Sequence, residues 1–278
     1  GNNATLTLPS PGATNSLGAN KALVIDGVVP TVSSVSSTTA DGAYKIGDVI
    51  AVTTTFSETV NVTGTPQLEL DTGGNSLSFD GTNDYVALNA LDLSSSNGMS
   101  FSLWVQKKTG LPSSGNYETV LRQDLGGSPD FLLQFTGDSK LAFGLKTQNS
   151  GYSELKVDIS SSDYIDKWVH IAGYLDVSTS YSYLYVNGVK VGYNNDHSGD
   201  ATYTENYKLR IGNSPENESE FFDGLIDEVA LWNDQLTDEE ITALYNGGAG
   251  LSAATNAGNY TSSADLKGYW QFDEGSGA

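Results

Sequence analysis

Tyr181-Ser182-Tyr183-Leu184-Tyr185-Val186-Asn187-Gly188-Val189-Lys190-Val191-Gly192-Tyr193 is the stretch that decides the fold class. Two runs rich in β-branched and aromatic residues, Tyr181–Val186 and Val189–Tyr193, flank an Asn-Gly pair. Both central positions of a two-residue hairpin turn need positive φ, which Asn and Gly tolerate best, so the stretch reads as strand, turn, strand. Along the first run Tyr181, Tyr183 and Tyr185 share one face while Leu184 and Val186 take the other, the period of a strand.

The same pattern extends outward in both directions. Candidate strands upstream are Leu77–Phe79, Tyr85–Leu88, Ser100–Gln106, Glu118–Arg122, Phe131–Phe135, Leu141–Leu145, Glu154–Ile159 and Trp168–Leu175; Leu209–Ile211 and Leu225–Trp232 follow downstream. Roughly a dozen short strands joined by tight turns predict a two-sheet jelly roll. One helix interrupts them. Thr237-Asp238-Glu239-Glu240 has the form of a capping box, Ile241, Leu244 and Tyr245 make an apolar stripe, and Gly247 is placed to end it.

Residues before the jelly roll carry a sparser β pattern: Thr5–Leu8, Ala22–Ile25, Thr31–Ser36, Asp48–Phe56 and Gln67–Leu70. About four or five strands are fewer than a seven-stranded immunoglobulin-like sandwich needs, so this segment reads as incomplete. The expected divisions are 1–27, the last strands of one repeat; 28–72, the first strands of another; 73–250, the jelly roll; and 251–278, an extension.

Composition narrows the function. The chain has 278 residues, 13 Lys and Arg against 34 Asp and Glu, and a net charge of −21. A nucleic-acid or anionic membrane surface would repel it, so no nucleic-acid partner is expected. No run of about 18 apolar residues occurs, and membrane insertion is not expected. With no cysteine, disulfides, thiol catalysis and Cys-type zinc sites are excluded. An acidic surface suits salt-rich or Ca²⁺-containing surroundings, although acidity alone also keeps a protein soluble. The opening Gly1 and the single methionine, Met99, read as a processed product or an excised fragment.

Three stretches resemble a known family. Leu77-Ser78-Phe79-Asp80-Gly81-Thr82-Asn83-Asp84-Tyr85-Val86 is similar to the opening of the laminin-G-like, concanavalin A-like jelly-roll modules of large bacterial surface proteins. Leu184-Tyr185-Val186-Asn187-Gly188 resembles their central hairpin, and Phe222 through Trp232 with Leu236 through Ile241 their closing strand and helix. The resemblance covers about residues 75–248 and implies fold rather than ligand. Ala22 through Val32, Asp41 through Asp48 and Phe56-Ser57-Glu58 look like the tandem immunoglobulin-like repeats of giant bacterial adhesins. That repeat breaks off near Thr72: either the jelly roll is inserted into it, or a neighbouring chain completes it by adding a strand. Gly268 through Gly277 resembles the strand that normally precedes the Leu77–Phe79 type of motif, and could open a further module or fold back onto this one.

No constellation here reads as catalytic. The Glu-x-Asp-x-x-Glu string of the related glucanases is absent, the nearest carboxylates (Glu216, Glu218, Glu220, Asp223) lie in a loop, and His170 and His197 are far apart. Calcium is the expected structural ion. Asp80, the Gly81 carbonyl and Asp84 supply hard oxygen ligands in one turn, and resemblance to the glucanases nominates Asp227 on the closing strand beside them. The competing reading is that Asp80 and Asp84 only make Asx-turns. Asp26, Asp41, Asp48 and Glu58 could hold a second ion at a repeat junction. For sugar binding, Tyr181, Tyr183 and Tyr185, with Tyr174 and His170 on the adjacent strand, form a stacking platform if their face points outward. The expectation is therefore a secreted, non-catalytic adhesion segment that binds glycans or another cell-surface ligand. Its alternatives are a filament subunit joined to neighbouring copies by strand exchange and, third, a carbohydrate-active enzyme.

Overall fold

The computed structural model describes residues 8–21, 29–39, 49–61, 75–124, 129–216 and 219–273, and divides the chain into two compact units, Gly1–Leu68 and Glu69–Ala278. In the first unit a single helical turn, α1 (Leu17–Asn20), is capped by the Ser16 side chain. Nothing in the sequence reading anticipated it. Strands β1 (Val32–Ser37) and β2 (Val52–Phe56) form an antiparallel ladder with Val35 opposite Thr54 and an irregularity between Val32 and Ser34. The expected strands Ala22–Ile25 and Gln67–Leu70, and all of Thr5–Leu8 but Leu8, lie outside the described residues.

The second unit is a sandwich of two antiparallel sheets. Its strands are β3 (Leu77–Asp80), β4 (Val86–Asn89), β5 (Met99–Lys107), β6 (Tyr117–Asp124), β7 (Phe131–Thr136), β8 (Lys140–Thr147), β9 (Gly151–Asp158) and β10 (Val169–Asp176). After these come β11 (Tyr181–Val186), β12 (Val189–Asn194), β13 (Lys208–Ile211), β14 (Asp223–Trp232) and β15 (Leu266–Trp270). The first sheet runs β12-β11-β10-β5-β14-β15, with β3 also on β14; the second runs β4-β13-β6-β7-β8-β9. Every expected strand from Leu77 to Trp232 is present, with ends moved by at most three residues.

Alternation explains the core. Met99, Phe101, Leu103 and Val105 of β5, Ile171 and Leu175 of β10, and Leu184 of β11 face Leu133, Phe135, Phe143 and Ile211 of the second sheet, all buried. The rings of Phe101 and Phe143 lie 4.9 Å apart and those of Phe101 and Phe131 5.4 Å apart. At one end a buried Lys107 on the first sheet pairs with Glu118 on the second, its ammonium 5.5 and 5.1 Å from the Phe135 and Phe222 rings. A charge so far from water persists only because it is paired and lies over aromatic faces.

Strand β15 folds back onto the jelly roll. It pairs antiparallel with Val229–Trp232 of β14, while β3 pairs with Asp223–Ile226 of the same strand. The two short strands share one edge end to end, and the bulge at Asp227 and Glu228 sits where one partner gives way to the other.

Helix α2 (Asp238–Tyr245) begins at the expected capping box: the Thr237 hydroxyl accepts from the Glu240 amide, and Glu240 Oε2 accepts from the Thr237 amide at 3.0 Å. It ends at Tyr245, two residues before Gly247, with the cap residue Asn246 in the left-handed region at φ 48°. Glu240 has a second role. Its other oxygen accepts from the Thr261 amide and hydroxyl at 3.0 Å each and from the Ser262 hydroxyl at 2.6 Å, tying residues 261–262 to the helix. Burial pushes its pKa up, but the Ser262, Thr237 and Thr261 hydrogen bonds outweigh that and hold the carboxyl below its usual range.

Candidate functional site

Ile241 and Leu244 of α2, with Leu236, Ala253 and Tyr260, pack on the outer face of the first sheet against Ala172, Tyr174, Tyr185, Ala230 and Trp232. Trp232 Nε1 donates to Tyr260 Oη at 3.0 Å, and Tyr260 donates to the Ala253 carbonyl at 2.8 Å. The tyrosine face does point away from the main core, and the helix then covers half of it. Tyr174 and Tyr185 are buried, and both hydroxyls donate to Asp238 at the start of α2. Desolvation opposes a charge on Asp238, but hydrogen bonds from Tyr185, Lys190 and Tyr174 prevail and hold its pKa low.

His170 is likewise inside. It is fully buried, with Nε2 2.8 Å from Ser102 Oγ and the ring between Trp104 and Tyr245 at 5.2 and 5.9 Å. Burial pushes its pKa down to about 3, so the ring is neutral. His170, Tyr174 and Tyr185, expected on the platform, therefore offer no open ring face: the helix stripe that the sequence marked as apolar needs them as its floor.

What remains open lies along the β11–β12 edge. The Tyr181 and Tyr183 rings are stacked 6.0 Å apart at 18°, and Tyr193, 61% exposed, stands 5.5 Å from Tyr181 and 6.4 Å from Tyr183. Lys190 caps this group, 4.4 Å from the Tyr183 centroid and ion-paired with Asp238 at 3.0 Å. Sequence reasoning missed Tyr193 and Lys190. A plain two-residue hairpin would set Tyr193 opposite Ser182, whose side chain points inward; a bulge after Leu184 shifts the register so that Tyr193 faces Tyr183. Gly192 then turns inward opposite Leu184, where a Cβ would come within 2.6 Å of Val157 Cγ1. Only glycine lets the bulged strand close there.

The residues expected to hold calcium are not brought together. Asp80 Oδ1 accepts from the Thr82 amide at 2.8 Å and Asp84 Oδ2 from the Asp80 amide at 3.0 Å, the Asx-turn arrangement. Asp80 lies opposite Asp223 on β14, four residues from Asp227. At the rise of a strand that is about 13 Å, too far for Asp80, Gly81 and Asp227 to share an ion. Asp227 instead lies beside Glu228 and Asp273 at the bulge, where burial above all, and then those like charges, push its pKa up to about 7 against the pull of the Glu228 amide. Among the described residues no three His, Asp or Glu side chains converge as a metal site. Glu58 is half-buried in the first unit, and Asp26, Asp41 and Asp48 lie outside the described residues.

The loop carboxylates weighed for catalysis have another role. Arg122 of β6 donates to Asp124 at 2.6 Å, Glu216 at 3.2 Å and Glu220 at 3.3 Å. Glu216 and Glu220 are thereby ion-pair partners on the outer face of the second sheet, not a facing acid and base. Glu218 lies outside the described residues.

Comparison with known proteins agrees with the architecture. A protein from Bacteroides ovatus ATCC 8483, described as a candidate carbohydrate binding protein, superposes with a TM-score of 0.53 at 15% identity, over 81% of this chain and 60% of that one. The receptor binding domain of botulinum neurotoxin C/D mosaic serotype gives 0.50 at 20% identity, over 63% of this chain and 43% of that one. This chain thus spans less than two thirds of either, and at these identities the likeness speaks for the fold alone. No curated protein matches the sequence. Residues 80–242, more than half of the chain, match the Laminin_G_3 model, and the protein belongs to that family of the concanavalin A-like lectin/glucanases superfamily.

Proposed function

We propose that the second unit is a non-catalytic glycan-binding module in an adhesion segment of a secreted surface protein. The observation that carries this is the group of Tyr181, Tyr183 and Tyr193, gathered on one outer sheet face and left open beyond the edge of α2. Aromatic rings offer flat apolar surface to the C–H faces of sugar rings, while phenol hydroxyls and Lys190 supply donors at the rim. The lectin-like family and a structural neighbour described as a candidate carbohydrate binding protein support the ligand class. The test is a glycan array with the full chain, repeated with Tyr181→Ala and Tyr193→Ala. Loss of about tenfold in affinity for any bound glycan is expected, on the scale of one aromatic contact. Unchanged binding in both variants removes the platform.

A structural calcium ion is a second element of the proposal, supported by the acidic composition, 34 Asp and Glu against 13 Lys and Arg, whose mutual repulsion a divalent cation would relieve. Melting with excess Ca²⁺ and with chelator tests it, because binding to the native state raises Tm by linkage. No shift removes the ion. The filament reading rests on the first unit, where Val32, Val35 and Val52 of the β1–β2 ladder are exposed and a two-stranded ladder is marginal by itself. Sedimentation of the chain as a monomer at all concentrations excludes it.

A further inference from the structure

Residues 195–204 carry the chain from β12 of the first sheet toward β13 of the second, and a row of hydrogen bonds holds them beside the β8–β9 hairpin. The Asn149 and Gln148 amides donate to the Ser198 and Asp200 carbonyls at 3.1 Å each, and the Thr202 amide donates to the Lys146 carbonyl at 2.8 Å. The Ser198 amide donates to Ser150 Oγ at 3.0 Å, and at the far end the Thr204 amide and hydroxyl donate to Asp130 at 2.7 and 2.9 Å. Ala201 is the single buried apolar residue of the segment. A segment held by polar contacts with so little apolar burial opens at a lower free energy than the core strands do.

His197 pins this segment down. It is fully buried, and its Nε2 lies 3.2 Å from the Ser153 carbonyl oxygen, which can only accept, so Nε2 carries the proton. Nδ1 is buried and has no hydrogen-bond partner among the described residues. Burial pushes the His197 pKa below the ordinary histidine value, against the pull of the Ser153 carbonyl, the Asp196 carboxylate and the Leu145 carbonyl. The groups that point inward around it are neutral. Thr147 continues the inward row of Leu145, Ser153 that of Leu155, and Ser182 that of Leu184. Alternation turns the charged neighbours Lys146 of β8 and Glu154 and Lys156 of β9 outward, the last two paired with each other at 2.7 Å. Asp176 is held within its own turn by Ser178 and Thr179, and Asp130 is engaged with Thr204.

Ser153 connects this histidine to the tyrosine platform. Its hydroxyl accepts from Asn194 Nδ2 at 2.9 Å, and Asn194 ends β12 immediately after Tyr193. Asn194 Oδ1 in turn accepts from the Asp196 amide at 3.0 Å, so the strand end and the segment share one set of ties. A second N–H and a full charge on the ring are better hydrated than buried, which favours the detached segment. We infer that residues 195–204 are an acid-opened latch: neutral His197 holds them on Ser153, and its protonation releases them together with the Asn194 end of β12, loosening Tyr193. The detached ring takes up its proton at about pH 6.5, the ordinary histidine value. The latch is therefore fully held above that pH and weakens by about tenfold for each pH unit below it, until the buried ring itself is protonated. The consequence for binding rests on the platform proposed above, whereas the latch does not.

The test is amide hydrogen exchange of the full chain between about pH 7.5 and pH 4.5, corrected for the intrinsic exchange rate. Protection of the hydrogen-bonded amides of Asp196, Ser198, Thr202 and Thr204 is expected to fall by about tenfold per pH unit below about 6, while those of β5 and β10 stay protected. His197→Gln keeps a donor for the Ser153 carbonyl but cannot be protonated, and should abolish the pH dependence. Asp196→Asn removes the carboxylate that favours the charged ring, and should move the opening to lower pH. Thermal melts show whether each variant is folded. Protection that does not change with pH overturns the inference, as does loss in parallel over β5 and β10. Equal pH dependence in His197→Gln also overturns it, and would assign the opening to Asp130 at the other end. On the platform reading, retention of glycans on the array falls at about pH 5 in the parent chain and not in His197→Gln; equal retention while these amides open would overturn the coupling to Tyr193. If no glycan is retained at about pH 7.5, the platform fails and hydrogen exchange still decides the latch.

Discussion

The two sheets of the jelly roll share one core but treat their outer faces in opposite ways. On the first, a helix and residues 251–260 lie over Trp232, Tyr174 and Tyr185, building a second apolar cluster and leaving the tyrosines of the β11–β12 edge open to solvent. On the second, no such cover is present among the described residues, and the face is finished with a matched ion network centred on Arg122. Covering a face converts aromatic residues into structure; leaving it open requires that its polar groups be satisfied one by one. A ring left uncovered, as at Tyr193, is where a ligand has something to gain.

The comparison can be broken most forcefully from the covered side. Trp232→Ala removes the fully buried ring under the helix and is expected to cost about 4 kcal/mol in urea unfolding, a cost insensitive to salt. Arg122→Met on the open side leaves the buried Asp124 beside Glu216 and Glu220 without that cation and should cost about 3 kcal/mol, part of it recovered at high salt. If both losses respond equally to salt, the distinction between an apolar and an ionic face is wrong.

The pH dependence sharpens the same contrast. His170 is held neutral under the helix with its pKa pushed down to about 3, so the unfolded chain takes up the proton first. Its contribution is complete above about pH 6.5 and is lost as pH falls toward 3. Asp227 behaves oppositely: pushed up to about 7, it favours folding below the ordinary carboxylate range, and that contribution disappears as pH rises through 7. Asp227→Asn should therefore raise Tm at about pH 8 and leave it nearly unchanged at about pH 4. A uniform shift at both values would contradict the assignment. The smallest expected effect is Thr237→Ala, about 1 kcal/mol for the lost cap, read by the same urea titration.

Much of this was legible in the residues. Period-two alternation located every strand from Leu77 to Trp232, and Asn187-Gly188 located the hairpin because few residues adopt its backbone. The capping box located the helix start because Thr237 and Glu240 can satisfy each other's amides locally. The platform was legible only in part. Alternation put Tyr174, Tyr181, Tyr183 and Tyr185 on one face, but it carries no information on which of them a helix some 50 residues later in sequence will cover.

Sequence by itself determined what depends on neighbours along the chain: strand period, turn chemistry, the helix cap and the two-faced character of each strand. Tertiary structure decided the rest. The bulge that turns Tyr193 outward exists because Gly192 must fit against Val157 of another sheet. Glu240 anchors the extension because its second oxygen meets Thr261 and Ser262. Asp80 and Asp227 are separated because one pairs beside β14 and the other sits at its bulge. Each is a contact between residues distant in the chain, set by close packing in three dimensions, which no local pattern encodes.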